Sequence, residues 1–135
     1  MRISQKGLYA LQALTMLARH YPLGVVKIRE IAKEEELPEK FLETILRDLA
    51  RARFLKSVRG AHGGYHLKRA PDRIFLGEVL RKIDGPLAPF EDAESLRERV
   101  RMDAKHRPLF RVLLEVRDAT ARILDHTTIA DICRE

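Results

Sequence analysis

Residues 38–67 read PEKFLETILRDLARARFLKSVRGAHGGYHL, and two different periods meet in them. Phe41, Leu42, Ile45, Leu46 and Leu49 recur at helical spacing. This predicts a helix from Pro38 to about Ala52 with those residues as its apolar side. Pro38 suits the first helical turn, where its missing N–H has no partner anyway. Beyond Ala52 the helical spacing stops. Phe54–Val58 and Tyr65–Leu67 are short extended runs separated by Arg59-Gly60-Ala61-His62-Gly63-Gly64, which predicts a hairpin with a glycine-rich tip. A phosphate-cradling loop would hold its glycines between a strand and a helix N-terminus, whereas these lie between two strands. Glycine is expected at this tip for positive φ angles. Lys56, Arg59, Lys68 and Arg69 flank it, and no acid occurs from 56 to 69.

Upstream of this stretch, Ile28, Ile31 and Ala32 form the inward side of a brief helix and Glu34, Glu35 and Glu36 its outward side. It breaks at Leu37-Pro38. Two helices joined by a tight turn near residues 36–38, followed directly by a hairpin, make a winged helix-turn-helix. An earlier amphipathic helix starts after Ser4, a good N-cap, and runs to about Arg19. Its apolar residues are Leu8, Leu11, Leu14, Met16, Leu17 and Ala18, and Gly7 permits close approach. Arg59 is the cation expected to enter a minor groove, because narrow minor grooves carry enhanced negative potential.

Downstream, Ile74, Leu76, Val79, Leu80 and Ile83 predict a helix over 74–84, ended by Asp84-Gly85-Pro86. Residues 91–107 are dense in charge, yet Leu96 and Val100 lie four apart and Glu94 precedes Arg97, which reads as a charged helical segment. Pro108 then opens a long helix. Leu109, Val112, Val116, Ala119 and Ile123 follow in steps of 3, 4, 3 and 4, broadened by Leu113 and Leu124. Such a seam serves a coiled-coil-like dimer or a helix lying on its own domain. The dimer is favoured, since basic helix-turn-helix modules read DNA as two-fold pairs. Thr127 or Thr128 caps a last turn carrying Ile129, Ala130 and Ile132. The expected fold is mostly α with a small β-hairpin wing (α+β): a winged helix-turn-helix over 1–84, then a charged linker or helix, a dimerisation helix and a tail over 85–135.

The totals agree with one domain or a domain with an appendage in 135 residues. Apolar residues reach 45%, enough for a core. Lys and Arg number 26 against 20 Asp and Glu, giving a charge of +6 and a pI near 9.8, which favours a polyanionic partner. Cys133 stands alone, so a disulfide framework and a multi-cysteine zinc site are excluded. No run approaches a membrane span and the N-terminus lacks a signal-peptide pattern, so a cytoplasmic location is expected.

MRISQKGLYAL, LPEKFLETILRDLARARFLKSVRGAHGGYHLKR, LGEVLRKIDGPLAPFE and HRPLFRVLLEVRDATARILDHTTIADI together resemble the Rrf-two family of bacterial winged-helix regulators. The resemblance covers essentially the whole chain, and its most specific part is RGxxGGYxL directly after the recognition helix. It implies a homodimer with crossed long helices on a pseudo-palindromic promoter site. The recognition helix over 38–52 would lie in the major groove and the wing over 59–64 in the minor groove.

Carried over, Glu43 would accept from a cytosine amino group, Thr44 would meet a base edge or phosphate, and Lys40 and Arg47 would contact phosphates. Phe41 stands where a tyrosine is common. Gly60, His62, Gly63 and Gly64 complete the candidate wing contacts. Glu43 reads equally well as a solvated helix residue, Phe41 better as a core residue, and the Tyr65 ring as packing under the wing. Many members hold an iron–sulfur cluster on three cysteines between wing and long helix. Here residues 90–106 contain none, and Asp92, Asp103 and His106 are a poor substitute for thiolates. No conventional cluster and no other cofactor is therefore expected. Cys133 reads as a small apolar residue at a frayed end rather than a redox switch.

The functional expectation is a dimeric, sequence-specific, cluster-free transcription regulator, with repression the expected sign, whose partners are double-stranded DNA and a second copy of the chain. The alternative is a winged-helix module that docks a regulatory protein, with specific DNA binding weak or lost. The charged 91–107 segment and an exposed tail motivate it. No nucleophile–base pair, metal constellation or phosphate loop marks an enzyme.

Overall fold

A computed structural model describes residues 2–135. Three helices come first: α1 (Gln5–His20), α2 (Ile28–Glu35) and α3 (Glu39–Arg51). The hairpin of β1 (Leu55–Val58) and β2 (Gly64–Leu67) follows, then a 3-10 turn at Pro71–Arg73. The chain finishes with α4 (Leu76–Asp84), α5 (Ala93–Met102), α6 (Arg107–Asp125) and α7 (Ile129–Cys133). The winged helix-turn-helix read from the sequence is the observed fold.

Local chemistry sets the element ends. The Ser4 hydroxyl accepts the Gly7 N–H at 2.9 Å and caps α1 as expected. Glu36 closes α2 in the left-handed conformation, φ 54°, which makes the tight turn into α3. Pro38 occupies the N-cap of α3 rather than its first turn, and its carbonyl accepts the Leu42 N–H at 2.9 Å. The fourth predicted helix starts later than read. Ile74 and Phe75 are extended, because Phe75 forms an antiparallel bridge with Thr128 and the Ile74 carbonyl accepts the Ile129 N–H.

The core gathers Leu14 and Leu17 from α1, Ile31 from α2, and Leu42, Ile45, Leu46 and Leu49 from α3. Phe54, Leu55, Leu67, Val79 and Ile129 complete it. Two side chains depart from the expected apolar faces. Leu8 points outward from α1. Phe41 is 43% exposed, its ring edge-on to Tyr9 at 5.7 Å. The inward stripe of α3 is 42, 45, 46 and 49, and a residue next to the stripe on a helix is turned about 100° away. Phe41 is thus a surface residue steadied by α1.

The tail corrects another expectation. Ile129 is fully buried in the winged-helix core and α7 lies on α1, so the tail is docked rather than frayed, with Ile132 and the last two residues still facing solvent. Thr128 caps it with a reciprocal box: its hydroxyl accepts the Asp131 N–H at 3.1 Å and the Asp131 carboxylate accepts the Thr128 N–H at 2.8 Å. Cys133 is half-buried, with Sγ 3.7 Å from the Thr15 carbonyl oxygen.

Four aspartates share one electrostatic situation. Asp92, Asp103 and Asp131 accept backbone N–H groups at helix starts, Asp125 accepts from Arg81, and each is held below its ordinary range by those bonds. A lowered folded value means stability that is present above the unfolded value and is lost as pH falls through the folded one. The melting temperature is accordingly expected to fall as pH drops below about 4. A thermal melt series from pH 6 to 2 checks this, and a transition that stays level throughout would contradict it.

Candidate nucleic-acid interface

The outward face of α3 carries Lys40, Phe41, Glu43, Thr44 and Arg47, all exposed. This follows from the inward stripe: once 42, 45, 46 and 49 are buried, these positions face solvent. Among the described residues, none of Lys40, Glu43 and Arg47 makes an ion pair. Asp48, by contrast, is tied to Lys6 of α1 at 2.6 Å, which pins α3 and keeps that acid away from the outward cations.

The wing sits beside the start of α3. Leu55 pairs with Leu67, Lys56 with His66, Ser57 with Tyr65 and Val58 with Gly64. Arg59, Gly60, Ala61 and His62 form the exposed tip. Val26 adds a bridge on the far side of β2, exchanging two backbone hydrogen bonds with Tyr65 at 2.8 and 2.9 Å. The Tyr65 ring packs against the core, as the sequence suggested. Arg69 stacks on Phe54 at 4.6 Å and forks onto Glu78 of α4 at 2.9 and 3.0 Å, which fastens the base of the wing.

The wing glycines are needed for reasons only partly foreseen. Gly60 has φ +107°, the positive angle expected of the tip. Gly63 and Gly64 do not. Their requirement is space: a Cβ on Gly63 would lie 2.2 Å from the Val58 carbonyl oxygen, and one on Gly64 2.4 Å from that of Val26. Close backbone approach, not chirality, fixes the pair.

An open cleft of about 370 Å³ lies between the wing and the starts of α2 and α3, lined by Lys27, Arg29, Glu39, Gly60, Gly63 and Gly64 among others. The structure thus brings the wing and the start of α3 to one face. It also adds two exposed cations that the sequence reading missed, Lys27 and Arg29. Their signal was available: two basic residues open a helix whose first turn has no side-chain cap.

A profile described as Rrf2, iron-dependent transcriptional regulator, matches residues 3–135. The chain belongs to the Rrf2 family. It is therefore a DNA-binding transcriptional regulator, not an enzyme. It is 36% identical over 133 residues to the HTH-type transcriptional regulator CymR of Bacillus subtilis (strain 168), covering 98% of this chain and 89% of that protein. A solved structure of CymR (YrzC), the global cysteine regulator of B. subtilis, superposes with a TM-score of 0.85 at 32% identity over 99% of this chain and 97% of that one. A structure of IscR from T. potens gives a TM-score of 0.71, also at 32% identity, over 99% and 87% of the two chains.

Iron dependence would require suitable donor side chains between the wing and α6. Residues 90–106 offer no thiolate, and three of their carboxylates, Glu91, Asp92 and Asp103, are already engaged. Glu91 forks onto Arg99 at 2.7 and 3.0 Å, and this, rather than a Glu94–Arg97 contact, is the ion pair that forms here. The Asp92 carboxylate caps α5 through the Ser95 N–H at 2.8 Å. Asp103 accepts the His106 N–H at 2.9 Å, with its other oxygen 3.1 Å from His106 Nδ1. Arg99 also lies over the rings of Phe90 and Phe110. Among the described residues no three His, Cys, Asp or Glu side chains come together as a metal site. This donor set does not fit an iron–sulfur cluster. Among the same residues no helix is long and apolar enough to cross a membrane.

The candidate dimer seam has the complementary character. Leu109 is 54% exposed, Val112 55%, Val116 44% and Ile123 61%, with Leu113 and Ala119 half-buried beside them. The opposite side of α6 buries Phe110 and Ala121. One helix therefore has an inner face within the chain and a second apolar stripe in solvent.

Proposed function

We propose that the chain acts as a homodimer on a pseudo-palindromic promoter site, with α3 in the major groove and the wing tip in the adjacent minor groove. Lys40 and Arg47 contact phosphates, Glu43 and Thr44 read base edges, and Arg59 enters the minor groove with Gly60, His62, Gly63 and Gly64 around it. Phe41 packs its exposed face against the sugar-phosphate backbone. The reading is supported above all by the outward face of α3, whose charged side chains have no partner among the described residues and stand beside a basic wing. Regulation proceeds without an iron–sulfur cluster, and repression is its expected sign, since a dimer seated on a promoter excludes polymerase. The protein-docking alternative loses part of its support through the packing of α7 on α1, which docks the tail that was one of its two motives; the charged 91–107 segment is the other.

Selection from random duplex DNA with the purified chain tests this reading. An enriched two-fold site is the expected result, and no enriched site would overturn it. On the selected site, binding should fall steeply with salt. Arg59→Ala or Lys40→Ala removes one phosphate-neutralising cation per protomer, so each should lower the log–log salt slope by about 2 per dimer. Glu43→Ala should instead relax selection at one position per half-site, by about 1–3 kcal/mol of discrimination, with little change in slope.

A further inference from the structure

Helix α4 makes a polar tie to a different part of the chain at three places along one short stretch. Glu78 holds Arg69 behind the wing. Asp84 accepts the Ser4 N–H at 2.9 Å and the Ser4 hydroxyl, fixing the start of α1. Arg81 forks onto Asp125, the last residue of α6, with Nη1–Oδ1 at 2.6 Å and Nη2–Oδ2 at 2.8 Å. The first two ties belong to the reading head. The third joins that head to the helix carrying the seam.

The joint is built for a close fit. A Cβ on Gly77 would lie 2.0 Å from Asp125 Oδ1 and 3.2 Å from the Arg81 Nη1, so glycine makes the room in which the carboxylate is gripped. Beside it, the Leu76 N–H donates to the Thr127 carbonyl at 2.9 Å. The guanidinium holds the Asp125 carboxyl below its usual range, so the pair is ionised at neutral pH. A bidentate arginine–carboxylate pair fixes direction as well as distance. A small tilt at this end of α6 would move the whole reading head relative to the seam.

We propose that Arg81 and Asp125, seated on Gly77, are positioning residues that fix the separation of the two recognition helices and so set which half-site spacing the dimer accepts. Neither residue touches DNA. The inference rests on the two-fold reading given under Proposed function. Each added base pair moves a half-site by about 3.4 Å along the duplex and about 34° around it, so a rigid joint must discriminate against wrong spacing.

The test uses the full chain, the selected site, and versions of it with the half-sites moved together or apart by one and two base pairs. The wild type should lose about tenfold or more in affinity for a one-base-pair change, a cost of about 1.4 kcal/mol. Asp125→Asn, which keeps the shape and removes the charge, should cut that ratio to less than about threefold. Sedimentation should still find a dimer. Arg81→Gln reaches the same pair from the other side and should give the same flattened profile, with the double variant no flatter than either single one. An unchanged spacing ratio in both variants, with affinity lowered equally on every site, would make the clamp a stability feature only and overturn the proposal. A wild type that enriches no two-fold site would overturn the underlying DNA reading first, and the two failures are distinguishable.

Discussion

A chain carrying Val112→Glu and Val116→Glu is expected to sediment as a monomer and to lose about 100-fold or more in affinity for a two-fold site. Both side chains point into solvent in the single protomer, at 55% and 44% exposure. Glutamate there asks nothing new of the protomer's own core, and helical content should survive. In the proposed two-fold pair the same positions would face their symmetry mates. Burying an unpaired carboxylate against apolar surface and beside a like charge costs several kcal/mol. That is comparable to what four half-exposed aliphatic side chains per chain contribute, about 1 kcal/mol each. Loss of the pair turns binding of the second half-site from an intramolecular event into a separate one, and affinity falls by the effective concentration that is lost. Analytical ultracentrifugation and a binding isotherm on the selected site read both effects. A variant that stays dimeric would place the interface elsewhere. A monomer that binds as tightly as the wild type would show that one head suffices.

The seam illustrates what the sequence could and could not convey. A 3-4-3-4 apolar pattern marks a stripe on α6, but a stripe is silent about what covers it. The fold around it showed that Phe110 and Ala121 already serve the inner face, leaving Leu109, Val112, Val116 and Ile123 outside. Helix α3 is readable because its buried period is strict; Phe41 reads as core from the sequence because an aromatic next to that stripe looks apolar whichever way it points. The docking of the tail is not legible locally because its anchor is a bridge between Phe75 and Thr128, a contact over 50 residues that leaves no local mark. The same holds for the Arg81–Asp125 clamp, since two opposite charges 44 residues apart are not a pattern until the backbone places them together. Lys27 and Arg29 were legible as basic residues at a helix start, and only the position of the wing gives them a shared cleft.

The second large effect is expected at the wing. Gly64→Val should destabilise the protein by about 3 kcal/mol and abolish the contribution of the wing to DNA binding. The new Cβ would lie 2.4 Å from the Val26 oxygen, 2.7 Å from its carbonyl carbon and 3.0 Å from the Lys27 nitrogen. All three are backbone atoms, so no side chain can rotate aside. Relief requires β2 and the Val26 segment to part, which breaks the two hydrogen bonds between Val26 and Tyr65. Tyr65 then loses its seat, and the tip carrying Arg59 no longer has a fixed height above α3. Gly60→Ala separates the two kinds of glycine requirement. It meets open space at φ +107°, so its cost is conformational, about 1–2 kcal/mol, with the wing still attached. Thermal unfolding should rank Gly64→Val well below Gly60→Ala. On the selected site, Gly64→Val combined with Arg59→Ala should bind no worse than Gly64→Val alone, because the arginine's contact is already lost. A double variant that falls by the full additional Arg59 effect would mean that the wing keeps its place without Val26, and that the glycine pair serves some other need.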